Sequence, residues 1–224
     1  MFVITANAAE PAGDFLDQGM SSGDVIGLST ISAGHGSLDF LSERFAVCGQ
    51  NIKKIKITTD KCCLYTTVPV YSGDPDYEKA VNGDIKDLEE YDPIYVGDAE
   101  YDGYISHYEH SIVAGTTYKG TYNENMYFGM SVPRELWSTN EDPKQCYHET
   151  VDQVDGATIT IAVTFTDGST EEHQYRLRTG KIFVPVDEKT NLLLWNHLTR
   201  FLTPEEKLSG EVPYAYGYLM KKMD

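Results

Sequence analysis

Residues 98–109 read Asp-Ala-Glu-Tyr-Asp-Gly-Tyr-Ile-Ser-His-Tyr-Glu, and their spacing is that of a metal loop. Counted as twelve positions, acidic side chains fall at 1, 3, 5 and 12, with glycine at 6 and isoleucine at 8. Calcium takes six to eight oxygens at about 2.3–2.6 Å, and a glycine in mid-loop lets the backbone bend tightly enough to bring early ligands to one point. A second reading is equally physical. Tyr104, Ser106 and Tyr108 alternate, as the residues of an acidic, solvated β-hairpin do.

Other chemistry-bearing residues lack the company that catalysis needs. The six histidines are His35, His107, His110, His148, His173 and His197. His107 and His110 would share a helix face but point to opposite faces of a strand. Cys146 and His148 make two metal ligands where a closed site takes four. The chain contains no His-Glu-x-x-His, no Gly-x-Ser-x-Gly elbow, no phosphate-binding Gly-Lys-Ser/Thr loop and no dinucleotide-binding glycine pattern. Paired carboxylates of the glycosidase kind stay open, because a sequence does not show their separation.

The twelve-residue loop resembles the calcium loop of the EF-hand family. Carried over position by position, the resemblance gives Asp98, Glu100 and Asp102 side-chain ligand roles and Tyr104 a backbone carbonyl role. Ser106 would act directly or through water, and Glu109 with both oxygens. The flanks depart from the family, which brackets its loop with two helices. Here Ile94-Tyr95-Val96 precedes and Ser111-Ile112-Val113 follows, and both are β-prone. The cofactor expectation is therefore calcium or none.

With 35 acidic against 18 basic residues among 224, the formal net charge is −17. Such a chain repels nucleic acid and anionic head groups, so nucleic acid is excluded as a main partner. Sixteen tyrosines suit half-buried sheet faces, or a tyrosine-lined contact surface. No stretch approaches the roughly 18 apolar residues of a membrane span. Residues 1–8, with apolar Phe2-Val3-Ile4-Thr5 before Ala6-Asn7-Ala8, fit the end of a signal peptide or anchor, which puts the remainder outside the cytoplasm. Membrane contact is then expected only through an upstream anchor. Cys48, Cys62, Cys63 and Cys146 permit three disulfide pairings or none, and the sequence does not choose.

The elements that must position these residues are mainly strands. Ile55 and Ile57 interleave with lysines, and Cys63 to Val68 is expected to return as the paired strand. Asp74-Pro75 opens a helix with Tyr77, Val81, Ile85 and Leu88 on one face. Ile159, Ile161, Val163 and Phe165 alternate with polar residues, turn at Asp167-Gly168, and return through His173, Tyr175 and Leu177. Thr179-Gly180-Lys181 is expected to turn again into a third strand over 182–186. Leu194, Trp195, Leu198, Phe201 and Leu202 have helical spacing, which Thr203-Pro204 should end, before a closing strand at Tyr214, Tyr216 and Tyr218. The organisation expected is a flexible leader over 1–23, a β-rich unit with one helix over 24–130, and a β-meander with a helix over 131–224, packed separately or as one domain. The fold class is α+β, predominantly antiparallel β and β-sandwich-like, with one or two accessory helices.

The run Asn51 to Lys61 and the hairpin Ile159 to Leu177 are similar in style to extracytoplasmic regions of membrane-anchored proteins of Gram-positive gut bacteria, some of them sensors with a peptidase domain. The resemblance implies a compartment and a sensing or binding role, and no peptidase residue carries over. The function expected is a non-catalytic extracytoplasmic binding or sensor region, secreted or membrane-tethered, whose ligand is a protein, a peptide or a glycan. The alternatives are a calcium-stabilised surface or adhesion module and a secreted hydrolase with paired carboxylates.

Overall fold

The computed structural model describes residues 1–6, 25–28, 45–70, 91–96, 104–186, 189 and 200–223. They form two six-stranded antiparallel sheets. The first has the order β1 (Phe2–Ala6), β3 (Phe45–Gly49), β9 (Tyr127–Ser131), β5 (Cys63–Val70), β7 (Tyr104–Gly115) and β6 (Tyr91–Val96). The second has the order β2 (Val25–Leu28), β12 (Tyr214–Lys222), β11 (Thr170–Phe183), β10 (Thr158–Phe165), β4 (Ile52–Thr59) and β8 (Thr117–Thr121).

The alternation seen in the sequence builds the core between the sheets. On β4 and β10 every second residue is buried, so Ile55, Ile57, Ile159, Ile161 and Val163 leave solvent together. They meet Phe2, Ile4, Phe45, Val47, Phe128 and Met130 from the first sheet. The result is the β-rich, sandwich-like architecture expected. The other face of the first sheet is buried as well, at Val3, Ala46 and Cys48, which explains the unbroken apolar run of β3.

Three tight turns pass the chain from one sheet to the other. Each holds a residue in the left-handed region: Asn51 (φ 59°), Cys62 (φ 54°) and Gly115 (φ 65°). The middle turn corrects one expectation. β4 and β5 are not partners. β4 pairs with β10 and β8, and β5 with β9 and β7. The corner is pinned from outside: Thr158 N–H donates to the Asp60 carboxylate (2.7 Å) and Lys61 Nζ to the Asp155 carbonyl (2.5 Å).

Phe2–Ala6 were expected in the flexible leader and are a strand instead. They pair with β3 from Phe2↔Gly49 to Ala6↔Phe45, and Phe2 and Ile4 are each 2% exposed. The apolar start is thus accounted for by core burial, and removal after Ala8 would take a core strand with it. Residues 7–23 of that leader lie outside the described residues. So does the expected helix from Asp74 to Leu88.

The meander of β10 and β11 is as read, with Gly168 at φ 89° and the Asp167 carboxylate accepting from Ser169 N–H (2.9 Å). The turn expected at 179–181 is absent, because β11 runs on to Phe183. Gly180 (φ 149°) lies under the Phe201 ring, where a Cβ would sit 3.3 Å from a ring carbon. Phe201 in turn bridges Ile182 as extended chain, which corrects the helix expected to include it; residues 191–199 of that helix are not described. Thr203-Pro204 opens a helix and does not end one. Helix α2 (Pro204–Ser209), numbered after α1 below, carries a capping box in which Thr203 and Glu206 satisfy each other's backbone.

Within the second expected unit lies helix α1 (Pro143–Val151), capped by Asp142, whose carboxylate accepts from Gln145 N–H (2.9 Å). The units share one sheet, since β4 and β8 extend the sheet of β10–β12.

No disulfide links the four cysteines. Cys48 is buried, and the other three are half-buried.

Candidate functional site

The six residues expected to hold a metal divide at the edge of what is described. Asp98, Glu100 and Asp102 lie outside the described residues. Tyr104, Ser106 and Glu109 fall on β7, whose register with β6 steps past Ser106 between Ile94↔His107 and Tyr95↔Ile105. The loop therefore leads into a strand, where the EF-hand family has a helix. Among the described residues no group of three or more His, Cys, Asp or Glu side chains is gathered for a metal.

A different site forms at the edge of the second sheet. β8 ends at Thr121, and the chain turns through Asn123–Met126 into β9 of the opposite sheet. This exit leaves an open cleft of about 650 Å³, lined by Tyr118, Thr121, Tyr122, Asn123, Glu124 and Met126. Its volume is that of small-ligand sites, commonly about 300–1,000 Å³.

Tyr118 forms the inner wall. It lies on the core-facing side of β8, opposite Ile57, with its ring edge against Phe128 (5.3 Å between centroids). The ring lies back over Gly120, where an added Cβ would sit 2.5 Å from the phenol oxygen and 3.0 Å from Cζ. Only glycine permits that pose. The Tyr118 hydroxyl approaches the Met126 sulfur at 3.8 Å. Tyr122 closes the other side and donates its hydroxyl to the Val47 carbonyl (2.8 Å). The turn from Tyr122 to Met126 is an Asx turn, with Asn125 N–H donating to the Asn123 side-chain oxygen (2.9 Å).

Burial pushes both phenols above their ordinary value, Tyr122 to about 12, with Cys48 and Glu124 adding to the effect there. Neither phenol is an acid or base near neutrality. Among the described residues the lining contributes one carboxylate, Glu124, and neither imidazole nor thiol. What the cleft offers is apolar ring and thioether surface beside a carboxylate, an amide and a hydroxyl.

Sequence reasoning found the abundance of tyrosine but not this arrangement. The signal was present as Tyr118-x-Gly120 on one face of a strand, which becomes legible only when the partner strand shows which face turns inward.

A second polar cluster lies where α1 packs on β12. The His148 ring stacks on Tyr216 (3.6 Å, 16°), and Tyr216 donates its hydroxyl to the Asp152 carboxylate (2.8 Å). Thr179 donates to the same oxygen (2.6 Å). Lys144 and Lys181 flank the Tyr214 ring at 5.4 and 4.6 Å, and the Lys144 ammonium holds the Tyr214 phenol below its ordinary value, helped by Lys181. Burial, more than the nearby Lys144 charge, lowers His148. These groups engage one another and tie helix to sheet.

No family model, no curated protein and no solved structure matches the chain. The site must be judged by its own chemistry.

Proposed function

We propose that the chain is a non-catalytic binding module whose cleft between β8 and β9 takes a carbohydrate residue outside the cytoplasm. The observation that carries this reading is the cleft lining. A pyranose presents apolar C–H faces and a rim of hydroxyls, and it is held by aromatic surface with a few convergent polar groups. Tyr118, Tyr122 and Met126 supply the first, and Thr121, Asn123 and Glu124 the second. Glycoside hydrolysis takes two carboxyl groups at about 5–9.5 Å, and the described lining supplies one, so holding rather than cleaving suits it better. The location rests on the ligand class and on the resemblance to tethered extracytoplasmic regions, because the amino-terminal residues are accounted for by the core.

The test is binding of the full chain to a panel of neutral oligosaccharides by calorimetry. Tyr118→Ala should weaken the best ligand about tenfold, a loss of about 1.4 kcal/mol. Because Tyr118 also touches the core, Glu124→Ala, on an exposed side chain, is measured beside it. Absence of any oligosaccharide binding, or binding that neither variant changes, would overturn the assignment.

A further inference from the structure

The solvent face of the second sheet carries a charge opposite to that of the whole molecule. Its residues follow from the register. Lys56 faces Lys119 across β4 and β8, and Lys54 faces Thr121. Toward β10 and β11 the same face continues as Thr164 and Thr170, then Ala162 and Glu172, then Thr160 and Gln174, then Thr158 and Arg176. Arg176 faces Lys221 across β11 and β12, with Arg178 beyond it. Among the described strand residues, six cations thus stand on one face with Glu172 as the one acid on those strands and Asp155 beside Arg178, on a chain of formal net charge −17.

The arrangement is costly by itself. Lys56–Lys119 and Arg176–Lys221 are like charges directly opposite each other, which destabilises a sheet. Arg178 is paired with Asp155 (3.1 Å), and Arg176 donates to the Gly156 carbonyl (2.8 Å). Lys54, Lys56, Lys119 and Lys221 are exposed and have no carboxylate partner among the described residues. Strands lie about 4.8 Å apart, so β4 and β11 are about 10 Å apart, and the lysines of β4 and β8 lie diagonally from the cations of β11 and β12, with Thr158, Thr160 and Thr164 of β10 between the two strands. At its far end the face closes, where Phe201 packs with Ile182, Val184, Ala215 and Leu219.

We infer that this face docks an anionic polysaccharide. Charge complementarity calls for an acidic partner, and the rest of the surface says which. Among the described residues no aromatic ring stands on the open part of the face, so nucleic acid bases would find no stacking platform there. It also lacks the buried aromatic anchors that dominate protein interfaces and the apolar wedge that membrane surfaces require. A carboxylated or sulfated glycan needs neither. Its charges match the lysines and arginines, and its hydroxyls match the threonines. Thr121 belongs both to this face and to the cleft, so the two surfaces are continuous. The inference stands on the face alone and does not require the cleft to bind sugar.

The test uses the full chain with heparin and polygalacturonate as probes and dextran as the neutral control. An acidic protein of this charge has no general reason to bind a polyanion, so salt-sensitive binding to either probe is the expected result. Lys54→Glu/Lys56→Glu/Lys119→Glu should weaken it at least about tenfold, whereas Lys207→Glu, on α2 and outside the six strand cations, should not. Tyr118→Ala separates the two sites, because it should leave polyanion binding intact. The melting temperature of each variant reports folding, and the milder Lys56→Ala/Lys119→Ala variant serves if the triple reversal does not fold. No binding of either polyanion at low salt, or equal binding by the charge-reversed protein, overturns the inference. So does tighter binding of poly-glutamate, duplex DNA or anionic vesicles.

Discussion

His148 lies flat on the Tyr216 ring, and burial there disfavours its charged form; the same holds for His173, stacked on Phe2 at 4.3 Å. Around His148 stand Lys144 and Asp142 from the start of α1, Asp152 after it, and Lys181 on β11. Around His173 stand Glu171 and Lys222. Both imidazoles titrate below their unfolded value of 6.5. Between the two values the unfolded chain binds more protons than the folded one. Their contribution to stability is therefore complete above the unfolded value and is lost as pH falls toward the lowered folded value. The melting temperature should begin to drop as pH falls through the unfolded value of 6.5, before carboxylate titration adds to it. His148→Phe keeps the stack and removes the proton site, so it should flatten part of that drop. An unchanged drop would show that His148 does not report through this contact. At this scale the sequence supplied residue types and little else. It singled out the spacing of Asp98 to Glu109, whereas Tyr118 and Met126 stood apart until β8 and β9 brought them together.

The elements divide by how local their determinants are. β10 and β11 were readable because alternation and Asp167-Gly168 act within a few residues. Helix α2 was misread from a local signal: Thr203-Pro204-Glu205-Glu206 is a start, with Pro at the first helical position and Glu206 completing the cap. Asp142-Pro143 is a similar start for α1, with the Asp as cap and the Pro at the first helical position. The partners of β4 and β5 were not local at all, since Cys62 at φ 54° throws the chain across the sandwich. β1 shows the same limit: five mostly apolar residues read alike as the end of an export segment and as a core strand. Phe2→Ala tests the second meaning. With the side chain 2% exposed, it should destabilise the protein by about 3–5 kcal/mol in urea denaturation. A loss under about 0.5 kcal/mol would mean that the strand is not part of the core.

Taken as a whole, the sandwich joins the two halves of the chain. β4 and β8 from the first half lie in one sheet with β10, β11 and β12 from the second, and a single cluster of buried residues spans both sheets. Such a body should unfold as one unit. Calorimetry should show a single transition whose van't Hoff and calorimetric enthalpies agree. Two resolved transitions would restore the division near 131.

Sequence alone determined the class, because binary alternation and turn residues are short-range and directly encode which strand face is apolar. It also determined the acidity of the molecule and the absence of the common catalytic motifs. It could not determine where the charge goes. Lys54, Lys56, Lys119, Arg176, Arg178 and Lys221 are spread over 168 positions and share one face only because the register of five strands aligns them. The cleft is of the same kind: its walls are close in the chain, but the inward turn of Tyr118 is set by Ile57 and Phe128 across the fold. Composition sums charges and pattern assigns faces, whereas a binding surface depends on which faces become neighbours, and long-range pairing decides that.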